Sequence, residues 1–298
     1  MSYVGRFAPS PTGPLHFGSL VAAVASYCDA KSQSGKWLVR MEDLDKPREV
    51  KGAANEILRN LEAFGFEWDD DVIYQSQRSE VYAEALNALQ KQNLIYPCTC
   101  TRREIADSGN AQGIDGLIYP KTCLNKPALK ANIHATYRAI VLNKNISFLD
   151  QIQGEITQNL ARDVGDFIVK RADGLFAYQL AVVVDDAAQG ISNIVRGADL
   201  LDSTPRQIYL QHCLNFSTPH YAHIPIAVNN AGEKLSKQTL AEPISTTLPE
   251  HQLFDALSFL GQNPPAEIKN ATISEMWRWA INNWKFSAVP NQRQIKLS

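Results

Sequence analysis

The first 64 positions restrict this chain more than any other stretch. Positions 4–8 read as a short strand that runs into Pro9-Ser-Pro-Thr-Gly-Pro14, too rich in turn formers to continue a strand or start a helix. A small-residue helix is expected over 19–31, where Leu20, Val21, Val24, Ala25, Tyr27 and Cys28 recur three or four apart. A strand at 37–41 and an amphipathic helix at 50–64 follow. Strand, helix, strand, helix opens a parallel α/β sheet, and such sheets bind ligands at the carboxyl ends of their strands. The turn before the first helix also faces that helix's free N–H groups, which favour anions.

Further along, 79–92 reads as a helix with Tyr82, Ala85, Leu86 and Leu89 on one face. Positions 95–135 lose the rhythm and are expected to form an inserted subdomain. Strands are expected at 136–142, 146–149, 167–170, 176–184 and 194–196, the run Leu180-Ala-Val-Val-Val184 having the length of a buried strand. Helices are expected at 205–216, 253–260 and 273–284. The expected fold is a Rossmann-type doubly wound parallel sheet. Its catalytic halves are 1–94 and 136–232, the insertion is 95–135, and a short helical appendage occupies 233–298.

Hydrophobic residues at 45% supply a core, which excludes a disordered or collagen-like chain. A formal net charge of −2 argues against a nonspecific nucleic-acid coat. No apolar run approaches the ~20 residues of a membrane span, and the first residues lack the order of a signal peptide. A cytoplasmic protein without membrane contact is expected.

Five cysteines without a leader argue against a disulfide framework. Cys28 and Cys213 sit in apolar surroundings as ordinary buried thiols. Cys98, Cys100 and Cys123 are one ligand short of the tetrahedral set that structural zinc prefers. Tyr119 and, as the alternative, His134 are candidates for the fourth. Arg102 and Arg103 beside them suit either nucleic-acid phosphates or a solvated turn. Trp277, Trp279 and Trp284 suit either base stacking or, at helical spacing, core packing.

The string Arg6-Phe-Ala-Pro-Ser-Pro-Thr-Gly-Pro-Leu-His16-Phe-Gly18-Ser19 resembles the first signature of class I aminoacyl-tRNA synthetases in its glutamyl/glutaminyl version. Lys234-Leu-Ser-Lys237 is similar to the second. The resemblance implies a catalytic set of His16, Lys234 and Lys237, with two ammonium groups offsetting the charge on departing pyrophosphate. It implies an ATP site at Pro9, Gly18, Ser19, Ser236 and Lys237, with Mg²⁺ on the phosphates. It also implies a glutamate pocket of Arg6, Ala8, Ser10, Glu42, Tyr178 and Arg196. Glu42 would hold the ammonium, and Arg196 would meet the side-chain carboxylate with a two-pronged fork, favouring glutamate over glutamine. Tyr178 as a core aromatic, and Arg196 paired to Asp185 or Asp199, remain the plainer alternatives. Asp45, before Lys46-Pro47, reads as a capping acid.

Only positions 238–298 follow Lys237, too few for the anticodon-binding domain of a glutamyl-tRNA synthetase. In this the chain resembles the glutamyl-queuosine tRNA(Asp) synthetases, stand-alone paralogues of that catalytic core. The resemblance implies activation of L-glutamate by ATP without tRNA, then transfer to the cyclopentenediol of queuosine in tRNA(Asp). It also implies a zinc held by Cys98, Cys100, Tyr119 and Cys123. A monomer is expected. A truncated enzyme charging a tRNA 3′ end, a non-catalytic tRNA-binding module and a nucleotidyltransferase on a free small acid are the alternatives.

Overall fold

A computed structural model describes residues 2–109, 111–126, 134–229, 231–233 and 242–297. In chain order its main elements begin with β1 (Val4–Phe7), α1 (Phe17–Ser32), β2 (Lys36–Met41), α2 (Ala53–Ala63), β3 (Ile73–Tyr74), α3 (Ser79–Lys91) and β4 (Ile95–Cys98). Then come α4 (Arg102–Asp107), β5 (Gln112–Gly113), β6 (Gly116–Leu117), β7 (Thr136–Ala139), β8 (Asn145–Asp150), β9 (Gly154–Asn159), α5 (Leu160–Asp163) and β10 (Ile168–Lys170). The chain continues through α6 (Tyr178–Ala188), β11 (Asn193–Gly197), α7 (Thr204–Leu214), β12 (His220–Ile224) and β13 (Ile226–Val228). It closes with α8 (Pro249–Phe259), α9 (Ile273–Asn283) and β14 (Gln294–Lys296).

β1, β2 and β3 pair in parallel, as do β11, β12 and β8, with β9 antiparallel at the edge. The Ser192 N–H donates to Val4 O at 3.0 Å and lays β11 beside β1, so the two groups form one α/β layer. Alternation along the strands sorts side chains to two faces. Trp37, Val39 and Val195 join α1, α8 and α9 in one core, while Leu38 and Ile194 pack with Ile208 of α7 on the other. Covered faces suit a parallel sheet.

The expected strand over 176–184 is instead the helix α6. A short continuous apolar run fits either element, and valine's β-branching favoured the wrong one. Buried residues follow one another without a break from Leu180 to Asp186, the pattern of a helix enclosed on every side. The stop signal was present: Gly190 takes φ +65°, and the Ile191 and Gly190 N–H groups donate to Asp186 O and Ala187 O.

β4 pairs antiparallel with β7, Ile95 opposite Ala139 and Cys98 opposite Thr136, so the chain returns beside the strand from which it departs. Trp277 is a core residue: its Nε1–H donates to Phe64 O at 2.8 Å, and its ring lies 4.6 Å from that of Tyr27. Trp279 and Trp284 pack against the same core. Cys28 is buried as expected, whereas Cys213 is half-buried. Among the described residues, no helix is long and apolar enough to cross a membrane.

Candidate active site

A cavity of about 490 Å³ opens at the carboxyl ends of β1, β11 and β12. Its walls include Arg6, Ala8, Pro9 and Ser10 from the first strand and turn, with His16, Gly18 and Ser19 from the start of α1. Glu42 from the end of β2, Tyr178 and Arg196 complete the expected glutamate pocket. The Glu42 N–H donates to Pro9 O (3.0 Å), joining the end of β2 to the turn. Lys234, Ser236 and Lys237 lie outside the described residues. After them the chain is anchored beside the turn, where the Ile244 N–H donates to Leu15 O at 2.9 Å and Pro243 bridges to His16.

His16 is the N-cap of α1, and its Nδ1 accepts the Ser19 N–H at 3.3 Å. That bond requires a lone pair on Nδ1, so the neutral ring carries its proton on Nε2, which is 3.1 Å from Ser19 Oγ. The Nε2–H, directed at the Ser19 hydroxyl, and the helix N-terminus both place positive dipole at this end of the cavity.

Below the cavity lies a buried ionic network that the sequence did not disclose. Arg6 Nε donates to Asp186 Oδ1 (3.2 Å), and Arg40 Nη1 lies 2.8 Å from the same oxygen. Arg40 Nη2 reaches Glu42 Oε1 at 3.3 Å. Asp185, on the next position of α6, accepts from Gln75 (2.7 Å), Arg78 (2.6 Å) and Tyr82 (2.7 Å). Burial opposes the charge on Asp186, but Arg6 and Arg40 outweigh it and hold its pKa below the usual range. Burial pushes the Glu42 carboxyl above that range, against the pull of Arg40 and Arg6. A ligand cation beside Glu42 would act against that rise. Asp45 is held by Arg48 ahead of a short 3₁₀ turn at Lys46–Arg48.

Asp185 is thus engaged elsewhere than on Arg196, whose guanidinium is anchored on polar neighbours. Nε donates to His223 Nε2 (3.0 Å), while Nη2 donates to Thr204 Oγ1 (2.8 Å) and Gln207 Oε1 (2.8 Å). Nη1 lies 3.5 Å from the Tyr178 hydroxyl. Burial lowers the His223 pKa to about 4, aided by Arg196 and opposed by Asp150. The unfolded chain then binds the proton that the fold rejects, so this stabilisation is complete above about pH 6.5 and declines toward pH 4. His223→Gln is expected to remove about 2 kcal/mol of the stability lost between pH 7 and 5, measured by urea unfolding of both proteins. Equal losses would show that His223 does not cause this sensitivity.

Away from the cavity, Cys98, Cys100 and Cys123 offer sulfurs within 4.8 Å of one another. The Tyr119 hydroxyl stands 3.1 Å from Cys98 Sγ and 3.3 Å from Cys100 Sγ. Burial opposes ionisation of Cys123, yet bonds from Tyr119 and the Thr99 backbone help to bring its pKa down to about 6. His134 is exposed and stands apart from this group of thiols. Three thiols and a phenol around one point are a chemically suitable donor set for a tetrahedral cation.

A family model described as tRNA synthetases class I (E and Q), catalytic domain, matches residues 3–274. The chain belongs to that family. This synthetase is similar to the glutamyl-Q tRNA(Asp) synthetase of Dechloromonas aromatica, 58% identical over 99% of this chain and 98% of the relative. It is 51% identical to the protein of the same name from Pseudomonas aeruginosa, over 97% of this chain and 96% of that one. A solved glutamate tRNA ligase from Elizabethkingia meningosepticum, in complex with its amino acid, shares the fold at TM-score 0.82 and 24% identity, covering 100% of this chain and 67% of its own.

Proposed function

We propose that this synthetase activates L-glutamate with ATP, without tRNA, and transfers the glutamyl group to the cyclopentenediol of queuosine at the wobble position of tRNA(Asp). What carries this reading is one cavity joining a helix N-terminus to an anchored arginine, in a chain 58% identical to a glutamyl-Q tRNA(Asp) synthetase. Glu42 and Arg6 hold the amino-acid end of glutamate, with Ala8 and Ser10 beside it. Arg196 meets the side-chain carboxylate through Nη1, with the Tyr178 hydroxyl as second donor, because Nε and Nη2 are engaged by the protein. This replaces the expected two-pronged fork of the arginine alone.

The α-carboxylate oxygen of glutamate attacks the α-phosphorus of ATP, which brings its Mg²⁺, and pyrophosphate departs. His16 Nε2–H and the ammonium groups of Lys234 and Lys237 offset the developing charge. Pro9, Gly18, Ser19 and Ser236 line the nucleotide. A queuosine hydroxyl then attacks the glutamyl carbonyl, AMP leaves, and the hydroxyl proton passes to the adenylate phosphate. With a tRNA as acceptor, the enzyme works in the cytoplasm, as a monomer.

The expected result is glutamate-dependent exchange of pyrophosphate into ATP with no RNA present. Labelled glutamate should accumulate on tRNA(Asp) that carries queuosine and not on tRNA lacking it, and prior periodate cleavage of the diol should abolish labelling. Equal labelling of both tRNAs would overturn the proposed acceptor.

Positions 95–135 form, in this reading, a zinc-bearing insertion between catalytic halves at 1–94 and 136–232, before the 233–298 appendage. Cys98, Cys100, Cys123 and Tyr119 would hold the ion, which would fix the insertion's shape. We expect about one equivalent of zinc per chain by atomic emission, lost in Cys98→Ser. Since these residues do not line the cavity, chelation should lower the unfolding temperature and spare glutamate-dependent exchange. Loss of exchange from a still-folded core would contradict the structural role.

A further inference from the structure

His223 and Asp150 do not line the cavity, and both are buried, 0% and 1% exposed. Asp150 Oδ2 lies 2.6 Å from His223 Nδ1, and Asp150 Oδ1 accepts the backbone N–H groups of Ile152 (3.0 Å), Gln153 (2.8 Å) and His223 itself (3.1 Å). A carboxylate fixed by three such donors is an acceptor, so the proton of the neutral ring belongs on Nδ1 and Nε2 keeps its lone pair. Into that lone pair Arg196 donates its Nε–H at 3.0 Å, with the Thr204 hydroxyl 3.2 Å from the same nitrogen. With Nη2 on Thr204 and Gln207, the guanidinium is anchored along two edges and cannot rotate.

An Asp–His pair beside a substrate cavity invites comparison with general-base catalysis, but here the imidazole's second nitrogen faces a guanidinium and not the cavity. We infer that Asp150 and His223 are positioning residues: Asp150 selects the tautomer in which His223 accepts from Arg196, and this acceptor fixes Arg196 with Nη1 toward the side-chain carboxylate of glutamate. The inference rests on the proposed role of Arg196 as the carboxylate's partner.

The decisive variant is Asp150→Asn, which conserves volume. Its amide oxygen retains the backbone N–H groups, while its NH₂ faces Nδ1 and drives the ring proton to Nε2. Two donors then confront each other at Arg196. In pyrophosphate exchange the KM for glutamate is expected to rise about ten-fold or more, with the KM for ATP unchanged. His223→Leu should show the same split. His223→Gln, whose amide oxygen can replace Nε2 as acceptor, should restore the KM to within about three-fold of the original.

Nitrogen NMR of the unmodified protein should find His223 protonated at Nδ1 and bare at Nε2, a readout that needs no variant to fold. A proton on Nε2, or a folded Asp150→Asn enzyme with unchanged KM for glutamate, would overturn the inference. Failure of the underlying reading has a different signature, an Arg196→Lys enzyme whose KM for glutamate is also unchanged.

Discussion

Asp186→Ala is expected to lower the free energy of unfolding by about 3–5 kcal/mol, the usual cost of removing one partner from a buried ion pair. Two guanidinium groups share this carboxylate, Arg6 at 3.2 Å and Arg40 at 2.8 Å, and both are buried in the folded protein. Arg40 retains Gln189 (2.7 Å) and Glu42 (3.3 Å), so the excess positive charge falls mainly on Arg6, a wall of the cavity. Asp186→Asn keeps an acceptor without the charge and should cost less. Urea unfolding monitored by tryptophan fluorescence measures both. A loss below about 1 kcal/mol for the alanine variant would show that solvent reaches the pair.

Arg196→Lys is expected to lower kcat/KM for glutamate by about a hundred-fold or more, equivalent to ~3 kcal/mol of binding, in pyrophosphate exchange. One ammonium cannot reproduce a planar group that serves His223 from Nε, Thr204 and Gln207 from Nη2, and a ligand from Nη1. It would leave acceptors unmet in a buried wall, or turn toward them and away from the ligand. The KM for ATP should not change. A lysine enzyme of near-normal efficiency would assign the glutamate side chain to another partner.

The first strand, the turn and α1 were legible because Pro, Gly and a small-residue helix leave the local chain few choices. Arg6, Glu42, Tyr178 and Arg196, expected together from the resemblance that this turn carries, do line one cavity. Local preference misled at α6, where enclosure by other elements outweighed β-branching and Gly190 marked a helix end that the strand reading overlooked. The residues behind the walls were invisible for a different reason. His223 and Asp150 are 73 positions apart, each unremarkable at a strand position, and only the parallel pairing of β12 with β8 makes them partners. Arg40 stands two positions before Glu42, but nothing local says that its charge is met from α6. A buried arginine needs a counter-charge, and searching for one could have singled out Asp185 and Asp186.

The bond from Arg6 to Asp186 spans 180 positions, and this has a bearing on biosynthesis. During translation, a nascent chain that has delivered β1, α1 and β2 but not yet α6 carries two guanidinium groups with no carboxylate from that helix to accompany them inward. The first half can form its helices early, but closure of the sheet around those charges must wait for the second half to leave the ribosome. Proofreading of completeness is thereby built into the floor of the cavity: a chain cut short before α6 lacks the anions that let the amino-acid pocket take shape.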